Sequence, residues 1–283
     1  MNKLPVINCI SNIVSANDCA NILLAAGFSP IMADEPKEAE DIAEAADALV
    51  INLGTPSDRK YEAANAAGHA YNRLGKPVVI DPVGVAVSSY RREKLAELLM
   101  NVHPDVIRCN LNEAKAMIGL NPENASSDKT DPECGVTEDT GITAVTSDCG
   151  IDSREDEITG QEEAVAAAEA LAIKLGCIVL ISGAADVISD GTRCMTVSGG
   201  SDRLKQITGS GCMLSALTGG FAARANLEGR DLFTSVCEVS GFFKQAAEKA
   251  EAMSSKSCSG GLGELHIRLI DAVSFIFTPP GRS

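Results

Sequence analysis

Four short apolar runs, separated by stretches of helical pattern, constrain the fold of this 283-residue chain more than any other feature. The runs cover residues 48–53, 77–81, 106–109 and 177–182. Each run is too short for a helix and nearly continuous in hydrophobicity, as strands buried on both faces of a sheet are. Strands that alternate with helices pair in parallel through right-handed crossovers. The sequence therefore predicts an α/β fold with a mostly parallel central sheet flanked by helices.

Local signals place the helices and one hairpin. Ser57 is a suitable N-cap and Gly75 a suitable C-cap for a helix between the first two strands. A capping box at residues 159–162 (Thr-Gly-Gln-Glu) predicts the start of a helix that ends at Gly176. The Asp-Gly pair at 190–191 predicts a hairpin, so that an antiparallel edge joins the parallel strands. Further helices are predicted over residues 89–101, 212–224, 231–252 and 262–277.

The composition excludes several classes of protein. The chain has no Trp and only 4% aromatic residues, so its core must be built from Ala, Val, Ile and Leu. Ten cysteines form no CxxC pair and three histidines form no HExxH, which argues against a zinc site. We interpret most cysteines as buried thiols in a reducing cytoplasm. No signal peptide and no apolar run of about 18 residues is recognised, so no membrane partner is expected.

The acidic charge is concentrated in one segment. The formal net charge is −15, and residues 121–160 hold eleven acidic side chains against two basic ones. Because no basic stripe exists anywhere in the chain, nucleic-acid binding is not expected. We interpret residues 121–158 as an acidic insertion loop, with a mobile lid as the alternative.

Residues 208–212 (Thr-Gly-Ser-Gly-Cys) carry the strongest chemical signal, because they open an apolar-faced helix. The first amides of a helix are unpaired, and with the helix dipole they form an anion site. The glycines allow a phosphate to approach the backbone. A tight loop with close packing fits the same pattern, and the spacing matches neither Walker A nor the dinucleotide fingerprint. Cys212, in the first turn, is either a base or a small packing residue.

Charged residues lie at the ends of two predicted strands, where open α/β sheets bind ligands. Asp81 ends one strand, and Glu113 lies in the first turn after the next. Two such carboxylates can converge on a hydrated Mg²⁺, although Asp81 can also cap a turn and Glu113 can also compensate a helix dipole. Arg108, late in its strand, can reach a polyphosphate or form a salt bridge.

Asparagines recur near the N-terminus at positions 12, 17 and 21. Asn at this density is unfavourable in a helix. The pattern indicates polar contacts to a ligand or a neighbouring chain, or else an N-cap followed by a surface face.

Together these segments resemble the hydroxyethylthiazole kinases, thiamine-salvage enzymes of the ribokinase-like group. The resemblance spans most of the chain, and its pieces occur in the family's order. SPIMA, DPVGV and GSGCML are specific in combination, although each alone is weak. The full matching pieces are SNIVSANDCANILLAAGFSPIMADEPKEAEDIAEAADALVINLGT, KPVVIDPVGV, VIRCNLNEAKAM, ISGAADVISDG and ITGSGCMLSALTGGFAA.

The resemblance implies a single three-layer ribokinase-like kinase domain over residues 1–283, with the acidic insertion inside it. It implies ATP-dependent phosphorylation of the hydroxyl of 4-methyl-5-(2-hydroxyethyl)thiazole, with Mg²⁺, in a homotrimer with active sites at the subunit interfaces. By resemblance, the site residues are Met32, Gly209 and Asn12 for the thiazole, Arg108 and Ser182 for ATP, and Asp81 and Glu113 for Mg²⁺ held through water.

By the same resemblance, Cys212 would occupy the place where related sugar kinases carry a catalytic Asp. Phosphoryl transfer depends mostly on alignment and charge stabilisation. We expect the amides of Gly209, Ser210, Gly211 and Cys212 to stabilise charge on the moving phosphoryl group. We expect the Cys212 side chain to position or weakly activate the hydroxyl, because a thiol of ordinary pKa is a mediocre base.

Two departures from the family pattern leave the substrate open. The family often has His-Asn where this chain has Asn8 and Cys9, and Val-Met where it has Ser15 and Ala16. Both pairs lie near the expected alcohol pocket. The alternatives are a kinase for another hydroxymethyl heterocycle such as the pyrimidine precursor, an ATP-dependent NAD(P)H-hydrate dehydratase of the same fold group, and a nucleotide-binding regulatory subunit without transfer activity.

Overall fold

The computed structural model describes residues 4–120, 153–255 and 260–277. Over these residues eight strands form one sheet in the order β2-β1-β3-β4-β5-β6-β7-β8. The strands are β1 (Val6–Ile10), β2 (Ser29–Ile31), β3 (Ala48–Asn52), β4 (Val78–Asp81), β5 (Val106–Cys109), β6 (Ile178–Ile181), β7 (Asp186–Ser189) and β8 (Cys194–Val197).

The described helices cover both faces of this sheet. They are α1 (Ala16–Ala25), α2 (Ala39–Ala45), α3 (Asp58–Arg73), α4 (Ser89–Asn101), α5 (Leu111–Ile118), α6 (Ser153–Leu175), α7 (Ser210–Glu228), α8 (Leu232–Ser255) and α9 (Leu262–Phe277). Short 3-10 turns lie at Pro36–Glu38 and Asp202–Gln206.

The pairing of the strands confirms the predicted sheet. Neighbours from β2 to β6 run parallel, and β6, β7 and β8 pair antiparallel. The predicted hairpin is the one that joins β7 to β8. Strands β3 and β4 are buried at every position, because crossover helices cover both faces of a parallel sheet.

Two apolar cores separate the layers. Helices α1, α7, α8 and α9 pack on one face of the sheet, and α2 to α6 pack on the other. Successive strand residues alternate between them, so that Val50 belongs to the first core and Ile51 to the second. The arrangement is a three-layer α/β fold, as predicted.

Capping residues in the sequence predicted most of the helix ends correctly. The Ser57 hydroxyl accepts a hydrogen bond from the Lys60 amide at 3.2 Å, as an N-cap does. Gly75 follows α3 with a φ of +62°. The predicted start of α6 at residue 159 was wrong, because the helix begins at Ser153. Residues 153–158 are therefore helix rather than insertion loop, and residues 121–152 lie outside the described residues. Within the described residues, no helix combines the length and apolarity that crossing a membrane requires.

Helix α7 approaches the sheet closely at Gly219. A Cβ added there would lie 2.2 Å from Cγ2 of Val50 on β3. We expect Gly219→Ala to lower the free energy of unfolding by about 1 to 3 kcal/mol, because overpacking outweighs the better helix propensity of Ala. Urea denaturation measures the change.

Gly160 in α6 supplies the matched control, since nothing lies within 4 Å of its added Cβ. Gly160→Ala should stabilise the protein slightly, by about 0.5 to 1 kcal/mol. Equal effects of the two substitutions would contradict the close approach of α7 to β3.

Candidate active site

The carboxyl ends of the parallel strands bring together polar side chains that are distant in sequence. Asn12 follows β1, Asn52 ends β3 and Asp81 ends β4. Arg108 lies near the end of β5, and Ser182 follows β6. Open α/β sheets bind ligands at this edge.

A buried chain of hydrogen bonds joins these residues. Asn12 Nδ2 donates to Asn52 Oδ1 at 3.0 Å, and Asn52 Nδ2 donates to Asp81 Oδ2 at 3.1 Å. The same carboxylate oxygen accepts from Ser215 Oγ at 2.6 Å and lies 3.7 Å from Arg108 Nη1. The chain fixes the position of Asp81 from three sides.

Asp81 is fully buried, and its Oδ1 atom has no hydrogen-bond partner among the described residues. The pKa of this carboxyl group is raised from 3.8 to about 6, chiefly by burial. Arg108 and the Ser215 hydroxyl lower the pKa, and the nearby Glu113 raises it, but burial outweighs both lowering effects. A carboxylate this costly to bury indicates a functional position.

Because its pKa is raised, Asp81 should make part of the free energy of unfolding depend on pH. The folded state favours the protonated carboxyl group, so this contribution to stability is full below about pH 4 and is lost as the pH rises through about 6. The loss amounts to up to about 3 kcal/mol. Asp81→Asn removes this pH-dependent contribution to the free energy of unfolding. The stability of the variant relative to wild type should therefore rise between pH 4 and 7, as measured by urea denaturation. A difference that does not change with pH would contradict the shift.

The N-terminus of α7 is open toward this edge. Gly209 is the N-cap with a φ of +85°, and no side chain of the described residues caps the helix. The Met213 amide donates to the Gly209 carbonyl at 2.9 Å. The amides of Ser210, Gly211 and Cys212 come earlier and have no acceptor within the helix, which makes the turn a site for an anion.

Arg108 lies directly against this turn. A Cβ on Gly211 would lie 2.5 Å from Arg108 Nη1 and 2.9 Å from Cζ. The guanidinium group also donates to the Ser182 hydroxyl, and its side chain is only 12% exposed. The structure thus places a fixed positive charge beside unpaired amides, as recognition of a phosphate requires.

Arg108, Ser182 and Gly211 line one cavity of about 320 Å³, hereafter the α7 cavity. Its other walls include Gly183, Gly200 and Lys244. The cavity lies between the turn of α7 and the antiparallel strands, and it is of the size that ligand pockets have.

The predicted alcohol-binding residues are only partly brought together. Asn12 Nδ2 lies 3.3 Å from the Cys212 thiol, which is partly exposed. Met32 follows the edge strand β2, is 38% exposed and does not line the α7 cavity. Asn8 accepts a hydrogen bond from the Ala33 amide at 3.2 Å, so it ties the segment that carries Met32 to β1. Ser15, which also departs from the family pattern, lies beside the turn before α7: a Cβ added to Gly209 would lie 3.1 Å from the Ser15 Cβ.

Glu113 performs the structural role that the sequence left as an alternative. It forms a capping box with Asn110, and its other oxygen accepts from the Gly84 amide at 2.7 Å. Both of its oxygens are therefore occupied by backbone amides. Within the described residues, no group of three His, Cys, Asp or Glu side chains is placed to hold a metal ion.

Asp81 and Glu113 still fit a magnesium ion held through water. Carboxylate oxygens are its preferred ligands, and it keeps several waters when it is also bound by phosphates. The unpartnered Oδ1 atom of Asp81 is the one oxygen of this pair that lacks a donor.

Sequence reasoning missed several residues of the site. Asn52 ends a buried strand with a polar side chain, as Asp81 does, and this was a usable signal. Ser215 gave none, because its role depends on the turn of α7 facing the end of β4. Lys244 and Asp186 were missed because they meet only after β7 and α8 have packed.

Comparison with known proteins identifies the family of the chain. The sequence profile of the hydroxyethylthiazole kinase family matches residues 1–151 and 140–278. The chain belongs to this family. The hydroxyethylthiazole kinase of Clostridium beijerinckii is 40% identical over 274 residues, which cover 96% of this chain and 88% of that protein.

Solved structures agree as well. The structure of a hydroxyethylthiazole kinase protein from Pyrococcus horikoshii matches with a TM-score of 0.76 and 31% identity, covering 97% of this chain and 89% of that chain. A ribokinase-like superfamily protein from Enterococcus faecalis shares the fold alone, with a TM-score of 0.59 and 10% identity over 97% of this chain and 88% of that one. The predicted family and the ribokinase-like fold are thereby confirmed.

Proposed function

We propose that this chain phosphorylates the hydroxyl of 4-methyl-5-(2-hydroxyethyl)thiazole with ATP, in thiamine salvage. The observation that carries the proposal is the open N-terminus of α7, whose amides lie between the α7 cavity and the Asn12–Cys212 contact. A nucleotide in the cavity would direct its terminal phosphate at these amides. An alcohol beside Cys212 would then lie in line with it. Membership of the hydroxyethylthiazole kinase family supports this choice of acceptor.

The protein contributes mainly positioning and charge in this mechanism. The amides of Ser210, Gly211 and Cys212 would stabilise negative charge on the phosphoryl group in flight. Arg108, held by Asp81 and Ser182, would bind the phosphate oxygens from the side. Asn12 would orient Cys212 and the attacking hydroxyl.

Asp81 and Glu113 would hold Mg²⁺ through water. When bound, the ion supplies charge neutralisation on the nucleotide phosphates. Asp81 also pairs with Arg108, and this contact needs no metal ion. The buried carboxylate therefore has a structural role as well.

We also propose a homotrimer whose interfaces complete the alcohol pocket. Its support is a set of exposed apolar side chains around the edge strand β2 and the two ends of α1, namely Ile13, Val14, Leu24 and Met32. Contacts with a second copy would cover these side chains and place Met32 against the substrate of a neighbouring subunit.

We propose one kinase domain over residues 1–283 that carries an acidic insertion before α6. We further propose a cytoplasmic location, since the cysteines of the described residues are all free thiols.

A product assay tests the function against its rivals. The purified protein would be incubated with ATP, Mg²⁺ and, separately, the thiazole alcohol, the pyrimidine alcohol and hydrated NADH, and the products analysed by mass spectrometry. We expect a phosphomonoester from the thiazole alcohol. The phosphorylated pyrimidine alone, or dehydration of the cofactor alone, would contradict the proposal, and ATP binding without any product would favour the regulatory subunit.

The proposed role of Cys212 gives a modest expected effect. Cys212→Ala should lower kcat by about tenfold, less than the roughly 100-fold or more that a well-matched general base contributes, because the amides remain and only a weak base is lost. The KM for ATP should stay unchanged. Steady-state kinetics measures both. Cys237→Ala, a partly exposed thiol on α8, is the matched control and should be as active as wild type. Complete loss of turnover in Cys212→Ala with both substrates still bound would contradict the modest role.

A further inference from the structure

The ammonium group of Lys244 lies in the wall of the α7 cavity, surrounded by oxygen atoms. Its Nζ atom lies 3.1 Å from Asp186 Oδ1. It donates to the carbonyl oxygens of Gly183, Ala184 and Gly199 at 3.2, 3.0 and 3.3 Å. Lys244 is only 8% exposed. One buried cation therefore faces four oxygen atoms.

These oxygens belong to two separate walls of the cavity. Gly183 and Ala184 form the turn between β6 and β7, while Gly199 lies in the segment after β8. Lys244 reaches both walls from α8. The second wall is also tied to this helix by the Gly200 amide, which donates to Glu248 at 2.9 Å.

Asp186 is held just as firmly. Its Oδ1 atom accepts from the Gly183 amide at 3.0 Å, and its Oδ2 atom accepts from Ser240 Oγ at 2.8 Å. Asp186 and Ser240 are both buried. The charge of Asp186 is therefore fixed in place, and among the residues that the structure describes only Lys244 neutralises it at close range.

Loss of the ammonium group would leave these oxygens facing one another in a medium of low dielectric constant. Buried charges and carbonyl groups are tolerated only when they are paired. A set of carbonyl oxygens with one carboxylate is also the environment that a monovalent cation such as K⁺ takes. Without a cation, the two walls would move apart.

We propose that Lys244 is a positioning residue for the nucleotide. Its ammonium group acts as a tethered monovalent cation that holds the two walls of the α7 cavity at the spacing that ATP binding requires. The residue acts through the walls rather than on the reacting atoms. The inference rests on the proposed function only in taking ATP as the occupant of this cavity.

Removal and replacement of the cation tests the proposal. Lys244→Ala should weaken ATP binding at least about tenfold, as measured by calorimetry in the absence of the alcohol. Ammonium or potassium chloride should restore most of this loss. Tetramethylammonium chloride at the same ionic strength should not, because the ion is too large for the space. Wild type should respond to none of these salts, and neither should Lys244→Met, in which the longer side chain fills the space.

Ser240→Ala is the control for a merely structural effect. It removes one hydrogen bond to Asp186 and keeps all four contacts of the Lys244 ammonium group, so it should lower the unfolding midpoint and leave the ATP affinity within about twofold of wild type. If Lys244→Ala does not fold, Asp186→Asn serves instead. It should weaken ATP binding, because Lys244 loses the carboxylate that anchors its ammonium group between the walls. Small cations should not restore the affinity, because the ammonium group still occupies the space.

Two results would overturn the proposal. One is an ATP affinity of Lys244→Ala, or of Asp186→Asn in its place, no weaker than that of Ser240→Ala. The other is a weakened affinity in Lys244→Ala that no small cation restores. If the salt response holds but wild type phosphorylates no thiazole alcohol, the proposed acceptor fails and the role of Lys244 stands.

Discussion

Replacing Arg108 with Met should lower kcat/KM for ATP by at least about 1000-fold, the scale of effect that an arginine on a transferring phosphoryl group produces. The guanidinium group lies against Gly211, donates to Ser182 and faces Asp81. The substitution therefore removes the positive charge beside the turn and leaves the carboxylate without its nearest cation. Steady-state kinetics with the thiazole alcohol measures the loss.

Two variants show that the effect is specific to this arginine. Arg108→Lys keeps the charge but loses the planar fork, so it should recover only part of the activity. Arg92→Met removes an arginine on α4 whose guanidinium donates to the Ala86 carbonyl, and it should remain within about twofold of wild type. An Arg108→Met enzyme that keeps more than about a tenth of wild-type activity would contradict the role of this guanidinium in transfer.

Gly211→Ala should lower kcat/KM by at least about 100-fold, the size of effect seen when one donor of an oxyanion hole is lost. The added Cβ would lie 2.5 Å from Arg108 Nη1, so either the guanidinium group or the turn must move. Ala is otherwise well suited to the first turn of a helix, and we expect the folded protein to keep its thermal stability. Kinetics and thermal denaturation of the same preparation separate the two effects.

Gly241→Ala is the matched control for this substitution. Gly241 lies in α8, and its added Cβ would meet its nearest atom, Val197 Cγ1, at 4.0 Å. This variant should be as active as wild type. Equal activity of Gly211→Ala and Gly241→Ala would show that contact between Arg108 and the turn does not matter for catalysis.

The sequence predicted the strands in the middle of the sheet better than the two strands nearest the N-terminus. Strands β3 to β6 lie in nearly continuous apolar runs, and such runs identify buried parallel strands. The N-terminal strand β1 (Val6–Ile10) went unrecognised because Asn8 interrupts its apolar run. The edge strand β2 has only three residues and is half-buried, so no periodicity marks it. The early start of α6 was missed because the residues just before the capping signal are largely acidic and show no apolar periodicity of a helix.

The sequence predicted the positions of two parts of the site, Asp81 at a strand end and the glycine turn before α7, although each pattern also fits a purely structural role. The structure places both at the same edge of the sheet. Glu113 shows the limit, because its local signal fits a capping box as well as a metal site. The contact between Lys244 and Asp186 joins residues 58 positions apart through tertiary packing, and no local pattern encodes it.

A crystal structure with a nonhydrolysable ATP analogue and the thiazole alcohol tests the central claim most directly. We expect the terminal phosphate oxygens within about 3 Å of the Gly211 and Cys212 amides, with the alcohol oxygen beside Cys212. A nucleotide bound with its phosphates elsewhere, or a turn filled only by side chains of the protein, would contradict the account.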